Sequence, residues 1–305
     1  MSSTSATQRQ PEGEQPPDDA PPGADRSRRR GGAGRTVLRG VGQTLITLGV
    51  VVLLFVVYEV YVTDLFGHQK QEAATAEIDQ VWASAEAAAP DTVVVNNPDQ
   101  LVTDPGARTP QYQPTLGNGF AKLYVPSFGA DYVFTVVEGT NADDLYIGPG
   151  HYDNTQLPGQ QGNFAVAGHR VSKGSPFNDL GLLSSCDAVV VETQDDWFVY
   201  RVLPMADEVA GWTTTPRAHC DGVGVQTGPY DGVFGREITL PTDYAQVLPV
   251  PHVDSTAIPA DAQRMITLTT CHPQFSDAQR MIIHGVLVRS YSKSAGFLPP
   301  ELGES

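Results

Sequence analysis

The pattern of apolar and polar positions divides the chain into stretches of different texture. Residues 44–62 (TLITLGVVVLLFVVYEVYV) are an almost unbroken apolar run that extends back to Val41. At ~1.5 Å rise per residue, residues 41–62 are long enough for a hydrocarbon core of ~30 Å. The run is too long for a signal-peptide core and no A-x-A-like site follows it directly, so it predicts a retained membrane helix. Tyr58 and Tyr61 flank Glu59 at its far end, in the manner of interfacial aromatics. Residues 69–89 (QKQEAATAEIDQVWASAEAAA) are rich in strong helix formers and predict a helical stem, with Ile78, Val81 and Trp82 as a narrow apolar stripe.

From Gly119 the period changes to two. The runs AKLYVP, DYVFTVVE, NFAVAGHR, DAVVVET, WFVYRV, RMITLTTC and RMIIHGVLVRSY are short, β-branched or aromatic, and separated by Gly, Pro, Asn and Asp. They predict a single all-β barrel or sandwich over residues 119–291. One short helix is expected at residues 141–146, capped by Asn141 with Asp143 and Asp144 in its first turn. Residues 206–262 are Gly- and Pro-rich and predict long loops with one more strand at most. The remaining divisions are a disordered tail (1–40), the membrane helix (41–62), a stem and linker (63–118) and a C-terminal tail (292–305).

Charge adds orientation. Arg26, Arg28, Arg29, Arg30, Arg35 and Arg39 precede the apolar run, whereas only His68 and Lys70 follow it closely. The positive-inside rule then places the N-terminus in the cytoplasm and everything beyond residue 62 outside, where disulfides form. Acidic residues (35) outnumber Lys and Arg (19), which argues against a nucleic-acid surface.

The three cysteines, Cys186, Cys220 and Cys271, leave at least one thiol unpaired within the chain. Cys271 closes an apolar strand just before Pro273, and Arg280 opens the next. If these strands are antiparallel neighbours, Cys271 and Arg280 meet at one sheet edge. His169 closes another strand, NFAVAGHR. An imidazolium lowers the pKa of a neighbouring thiol and the thiolate is the nucleophile, while an arginine can stabilise an oxyanion. From the residues alone Cys271 remains open among nucleophile, disulfide half, metal ligand and core thiol. A zinc set of Cys271, His272, His284 and His169 lacks a recognised ligand spacing, so no metal is expected. His151 and His284 read as structural, and nothing selects Asp179 or Asp277 as an orienting carboxylate.

These segments resemble the sortases, membrane-anchored cysteine transpeptidases of Gram-positive bacteria. TLTTC (267–271) is similar to the family's T-L-x-T-C signature, Arg280 to its arginine, and GNFAVAGHR (162–170) to the segment around its histidine. LYVPSFG (123–129), VVEGT (136–140) and LYIGPGHYDNT (145–155) resemble sortase sequence in the same order, and TCHP with GPGHY looks most similar to class E. The resemblance implies an eight-stranded β-barrel and catalytic roles for Cys271, His169 and Arg280. It implies cleavage of an LAxTG- or LPxTG-like sorting signal between Thr and Gly through a thioacyl enzyme. The partners it implies are signal-bearing surface proteins and a peptidoglycan-precursor amine, with no cofactor. Tyr124 and Thr270 are the candidate substrate-binding residues. Alternatives are a pilin-polymerising sortase, for which residues 102–118 are a weak lid candidate, and a catalytically silent sortase-like binding module. Cys186 and Cys220 depart from the family pattern; they are the candidate pair for a bridge, against the alternative of two further free thiols.

Overall fold

The computed structural model describes residues 31–58, 62–88, 114–213, 217–294 and 296–304. Most of the expected N-terminal tail (1–30), Glu59 and Tyr61, and residues 89–113 of the expected stem, linker and lid lie outside the described residues.

Helix α1 (Gly31–Val57) starts ahead of the expected Val41, so residues 31–40, expected in the tail, are helical. Its large apolar side chains, Leu45, Leu53 and Phe55 among them, are exposed. Over residues 34–57 it is long and apolar enough to cross a membrane. Such a helix fits a membrane anchor, because only a closed hydrogen-bond ladder tolerates hydrocarbon.

Helix α2 (Thr63–Ala88) is the expected stem. Its buried side keeps Ile78 and Trp82 of the expected stripe but not Val81, which is 55% exposed; Gly67 and Gln71 are buried with them. That row runs i, i+4, i+11, i+15 on one face and lies against strands β1 (Gly119–Tyr124) and β2 (Val133–Glu138) and helix α3 (Ala142–Ile147). Asn141 caps α3 as expected, accepting from the amides of Asp143 and Asp144 while Asp144 answers the Asn141 amide.

The other strands are β3 (Gly150–His151), β4 (Gly162–Ala167), β5 (Ala188–Glu192), β6 (Asp196–Val202), β7 (Arg236–Thr239), β8 (Arg264–His272) and β9 (Gln279–Ser292). Their order is β6-β5-β1-β2-β3-β4-β8-β9-β7. The long β9 pairs with β7 along residues 280–283 and with β6 along residues 285–292. The β6–β9 pairing closes an eight-stranded barrel, and β7 lies on β9 outside that ring. Phe164, Val166, Ile266, Leu268, Met281 and Ile283 are among the residues that fill the interior.

Among the described residues of the irregular stretch 206–262, β7 is the one strand. A disulfide joins Cys186 to Cys220 at its beginning, with Cα atoms 5.1 Å apart. Arg201 ties the barrel to the C-terminal segment through a bidentate pair with Glu304, one arm of which is 2.8 Å.

Candidate active site

The alternation of β8 and β9 decides which side chains meet. Ile266, Leu268, Met281 and Ile283 point into the barrel, so Thr267, Thr269 and Cys271 on β8, and Arg280 and His284 on β9, point outward. The register makes Cys271 and Arg280 direct partners. Residues directly opposite in an antiparallel pair present their side chains on the same face. The Cys271 thiol is free and half-exposed. Arg280 Nη1 donates to the carbonyls of Asp277 (2.9 Å) and Gln279 (3.0 Å), so the loop between the strands holds the guanidinium from behind.

Strand β4 runs parallel to β8, with Ala167 level with Thr269. The pairing continues past the strand's end: the Gly168 amide donates to Thr269 O (3.0 Å), and the Thr270 hydroxyl donates to Gly168 O (2.8 Å). His169 therefore leaves β4 at the end of β8 that carries Cys271. The Phe177 amide closes the following loop onto His169 O (3.0 Å). Gly168 has to be glycine, because a Cβ there would stand 2.5 Å from the Phe177 ring. His169 Nε2 is buried without a hydrogen-bond partner. Burial first, and the Lys173 charge second, push its pKa down to about 4, so the imidazole is neutral at pH 7.

Tyr152, missed from sequence, belongs to the same face. Its hydroxyl is 3.0 Å from Thr269 Oγ1, and it feels the charge of Arg280. Burial raises its pKa, which keeps the phenol protonated as a hydrogen-bond donor. Its place in GPGHY was the only available signal. Arg170, also missed, donates from Nη1 to Cys271 O (3.3 Å) and to His272 Nδ1 (2.8 Å). The histidine next to the thiol is thereby turned to the other face. There it lines a cavity of about 460 Å³ with Arg170, Asp179, Arg236 and Met281.

The structure does not bring every candidate together. Tyr124 donates to Glu192 Oε2 (2.6 Å) and packs on Trp197, in a cluster with Tyr291 rather than with the residues around Cys271. Thr270 is buried and its hydroxyl is committed to Gly168, which makes it a tie between strands. His284 faces Thr267, four positions before Cys271 along β8, so the weighed zinc set is not assembled. His151 is buried against Glu138 (2.7 Å) and Gln156 O, a structural histidine.

The Sortase domain family model matches residues 123–288, which contain the thiol, the histidine, the arginine and the closed ring apart from residues 119–122 of β1 and 289–292 of β9. The chain belongs to the sortase family. Among its relatives, SrtE1 of Streptomyces coelicolor is 29% identical over 88% of this sortase and 62% of its own length, so the match leaves more than a third of that protein uncovered. SrtE2 of the same organism is 27% identical over 90% of this chain and 92% of its own. The solved SrtF sortase from Corynebacterium diphtheriae is 44% identical, with a TM-score of 0.58, covering 64% of this chain and 97% of that one. The curated relatives make class E the group this sortase most resembles. Its fold is the closed eight-stranded barrel of the family, preceded by an apolar helix and a helical segment.

Proposed function

We propose that this sortase is a transpeptidase that cleaves an LAxTG- or LPxTG-like signal between Thr and Gly and transfers the threonyl group to an amine of a peptidoglycan precursor. The Cys271 thiol attacks the Thr carbonyl as its proton passes to the neutral His169. Arg280 and Tyr152 donate to the oxyanion. The imidazolium then protonates the departing Gly amine as the C–N bond breaks, leaving a thioester on Cys271. The acceptor amine attacks that thioester and gives its proton to His169; as the C–S bond breaks, the leaving Cys271 sulfur takes that proton from the imidazolium, restoring the thiol and the neutral imidazole.

The observation that carries this reading is the direct register of Cys271 with Arg280 on the outer face, at the end of β8 beside which β4 delivers His169. Thr270 serves it by fixing the β4 extension. The arginines ahead of α1 favour a cytoplasmic N-terminus, which puts the barrel outside, where wall precursors and surface proteins are met.

The test is the full chain in detergent with a quenched LAxTG peptide and an amine acceptor. Ligated product and a trapped thioester at Cys271 are expected, and both vanish in Cys271→Ala. Turnover that survives Cys271→Ala would remove the reading.

A further inference from the structure

A second cluster of reactive side chains lies away from Cys271, where β7, β9 and the loop between β7 and β8 meet. Glu237 Oε2 is 2.9 Å from His252 Nε2, and Glu237 Oε1 is 3.7 Å from His284 Nε2. All three ligand atoms lie within 4.8 Å of one another.

The hydrogen bonds behind His284 fix its tautomer. Asn163 Nδ2 donates to the carbonyls of Gln246 (3.2 Å) and Leu248 (3.1 Å), which orients that amide. Asn163 Oδ1 accepts the Thr267 hydroxyl (2.8 Å). With its hydrogen spent, Thr267 Oγ1 can only accept from His284, so Nδ1, 2.9 Å away, carries the proton. In a neutral ring Nε2 is then a bare lone pair. It faces Gln246 Oε1 at 3.0 Å as well as the Glu237 carboxylate. Turning the Gln246 amide over would relieve that contact only by setting its oxygen against Asp243 and Glu237, to which its nitrogen now points at 3.3 and 3.5 Å. Electron-rich atoms thus converge on one point, which calls for a cation between them.

We propose that Glu237, His252 and His284 form a metal site for a borderline divalent cation of the zinc class, with Gln246 Oε1 or a water as the fourth ligand. Two imidazoles and one carboxylate are a zinc donor set, and an Nδ1–H held by a buried acceptor is the usual support of a ligating histidine. Tetrahedral zinc sets its ligands about 3.3 Å apart. The 2.9 and 3.7 Å spacings straddle that value, and the partly exposed His252 is the side chain able to adjust. A bare proton on His284 is the competing cation. Complete burial of the ring opposes it, because a charged imidazolium there would be stripped of water. The site would clamp the loop carrying Gln246 and His252 onto β7 and β9, upstream of the strand that holds Cys271.

The test uses the full chain in detergent, stripped with chelator and dialysed against zinc chloride, with metal counted by mass spectrometry. One zinc per chain is expected, accompanied by a higher melting temperature. Cys271→Ala keeps the zinc. His252→Ala and Glu237→Gln lose it, and Thr267→Val, which removes the acceptor for Nδ1–H together with the hydroxyl's bond to Asn163 Oδ1, weakens it about tenfold. Cobalt in place of zinc gives four-coordinate visible bands with no thiolate charge-transfer band. Absence of stoichiometric zinc from a folded wild-type chain overturns the proposal. So does zinc that survives both His252→Ala and Glu237→Gln, or a thiolate band that disappears with Cys271→Ala.

Discussion

Replacing Gln71 with leucine tests how the stem helix is held. Strand β3 is only two residues long, so the first half of β2 has no strand on that side. Gln71 of α2 takes the strand's place: Nε2 donates to Thr135 O and Ile147 O, both at 3.0 Å, and Oε1 accepts the Thr135 amide at 2.6 Å. Gly148 leaves room for this, since a Cβ there would stand 1.9 Å from Gln71 Nε2. Gln71→Leu preserves bulk and strands three backbone groups, at about 1–3 kcal/mol each. Against that, docking α2 buries Ile78 and Trp82, at ~1.5–3 kcal/mol each. The two sums are comparable, so the helix lifts and lets water in, and the loss is capped near the docking energy, about 3 kcal/mol at the lower end of that sum. Exchange of the α2 amides around Ile78 and Trp82 should accelerate about 100-fold, while barrel amides such as Ile282 keep their protection. The same undocking frees the segment after His169, because Asp64 of α2 accepts the Gly174 amide at 2.7 Å, and turnover should fall with it. If only the Thr135 amide accelerates and α2 stays protected, Gln71 is not what holds the helix.

Gly67→Ala, which in an isolated helix would stabilise by ~1 kcal/mol, should instead lower the melting temperature, because its Cβ would stand 2.5 Å from the Lys173 backbone; a rise would refute this contact. Lys173→Met removes the secondary cause of the low His169 pKa and should move it from about 4 part of the way towards its ordinary value, as read by NMR titration. The unfolded chain takes up that proton below about 6.5 and the folded one only near 4, so His169 lowers stability as pH falls through this window. The substitution should narrow the window and start the acid loss of activity at higher pH; an unmoved titration would show that Lys173 is screened. Tyr152→Phe should cost about tenfold in kcat with little change in KM, short of the ~10²–10³ of a principal oxyanion donor; unchanged kcat would confine Tyr152 to packing. Opening the Cys186–Cys220 bridge by a double serine substitution removes closure of a 34-residue separation, a loss of about 4 kcal/mol by chain entropy, measured as a denaturation midpoint; equal midpoints with and without reductant would contradict it.

The readable parts of this chain are those in which burial alone selects the residue. β5 and β6 announce themselves because both faces are covered and their positions are apolar or aromatic apart from Glu192, Asp196 and Arg201. β3 escapes because Gly150 and His151 become a strand only through β2 and β4, which no local pattern records. The face of α2 is only partly legible, for a related reason. Its buried row contains Gly67 and Gln71, chosen for a close backbone approach and for an unpaired strand edge, whereas Val81 is apolar and faces solvent. Hydropathy registers what leaves water, not what completes another element's hydrogen bonds. The same distinction runs through the candidate site. Cys271 and Arg280 could be paired in advance because a hairpin converts sequence spacing into register. His169 lies about a hundred residues upstream, and only family resemblance drew it in. Tyr152 and Arg170 were passed over because each is selected by what it touches, Thr269 in one case and the Cys271 carbonyl in the other. His272, conspicuous beside the thiol, is turned away because alternation along β8 sends adjacent side chains to opposite faces and Arg170 holds it there. Adjacency in a strand is therefore evidence against cooperation in chemistry, and a partner for a strand-end nucleophile is better sought across the sheet.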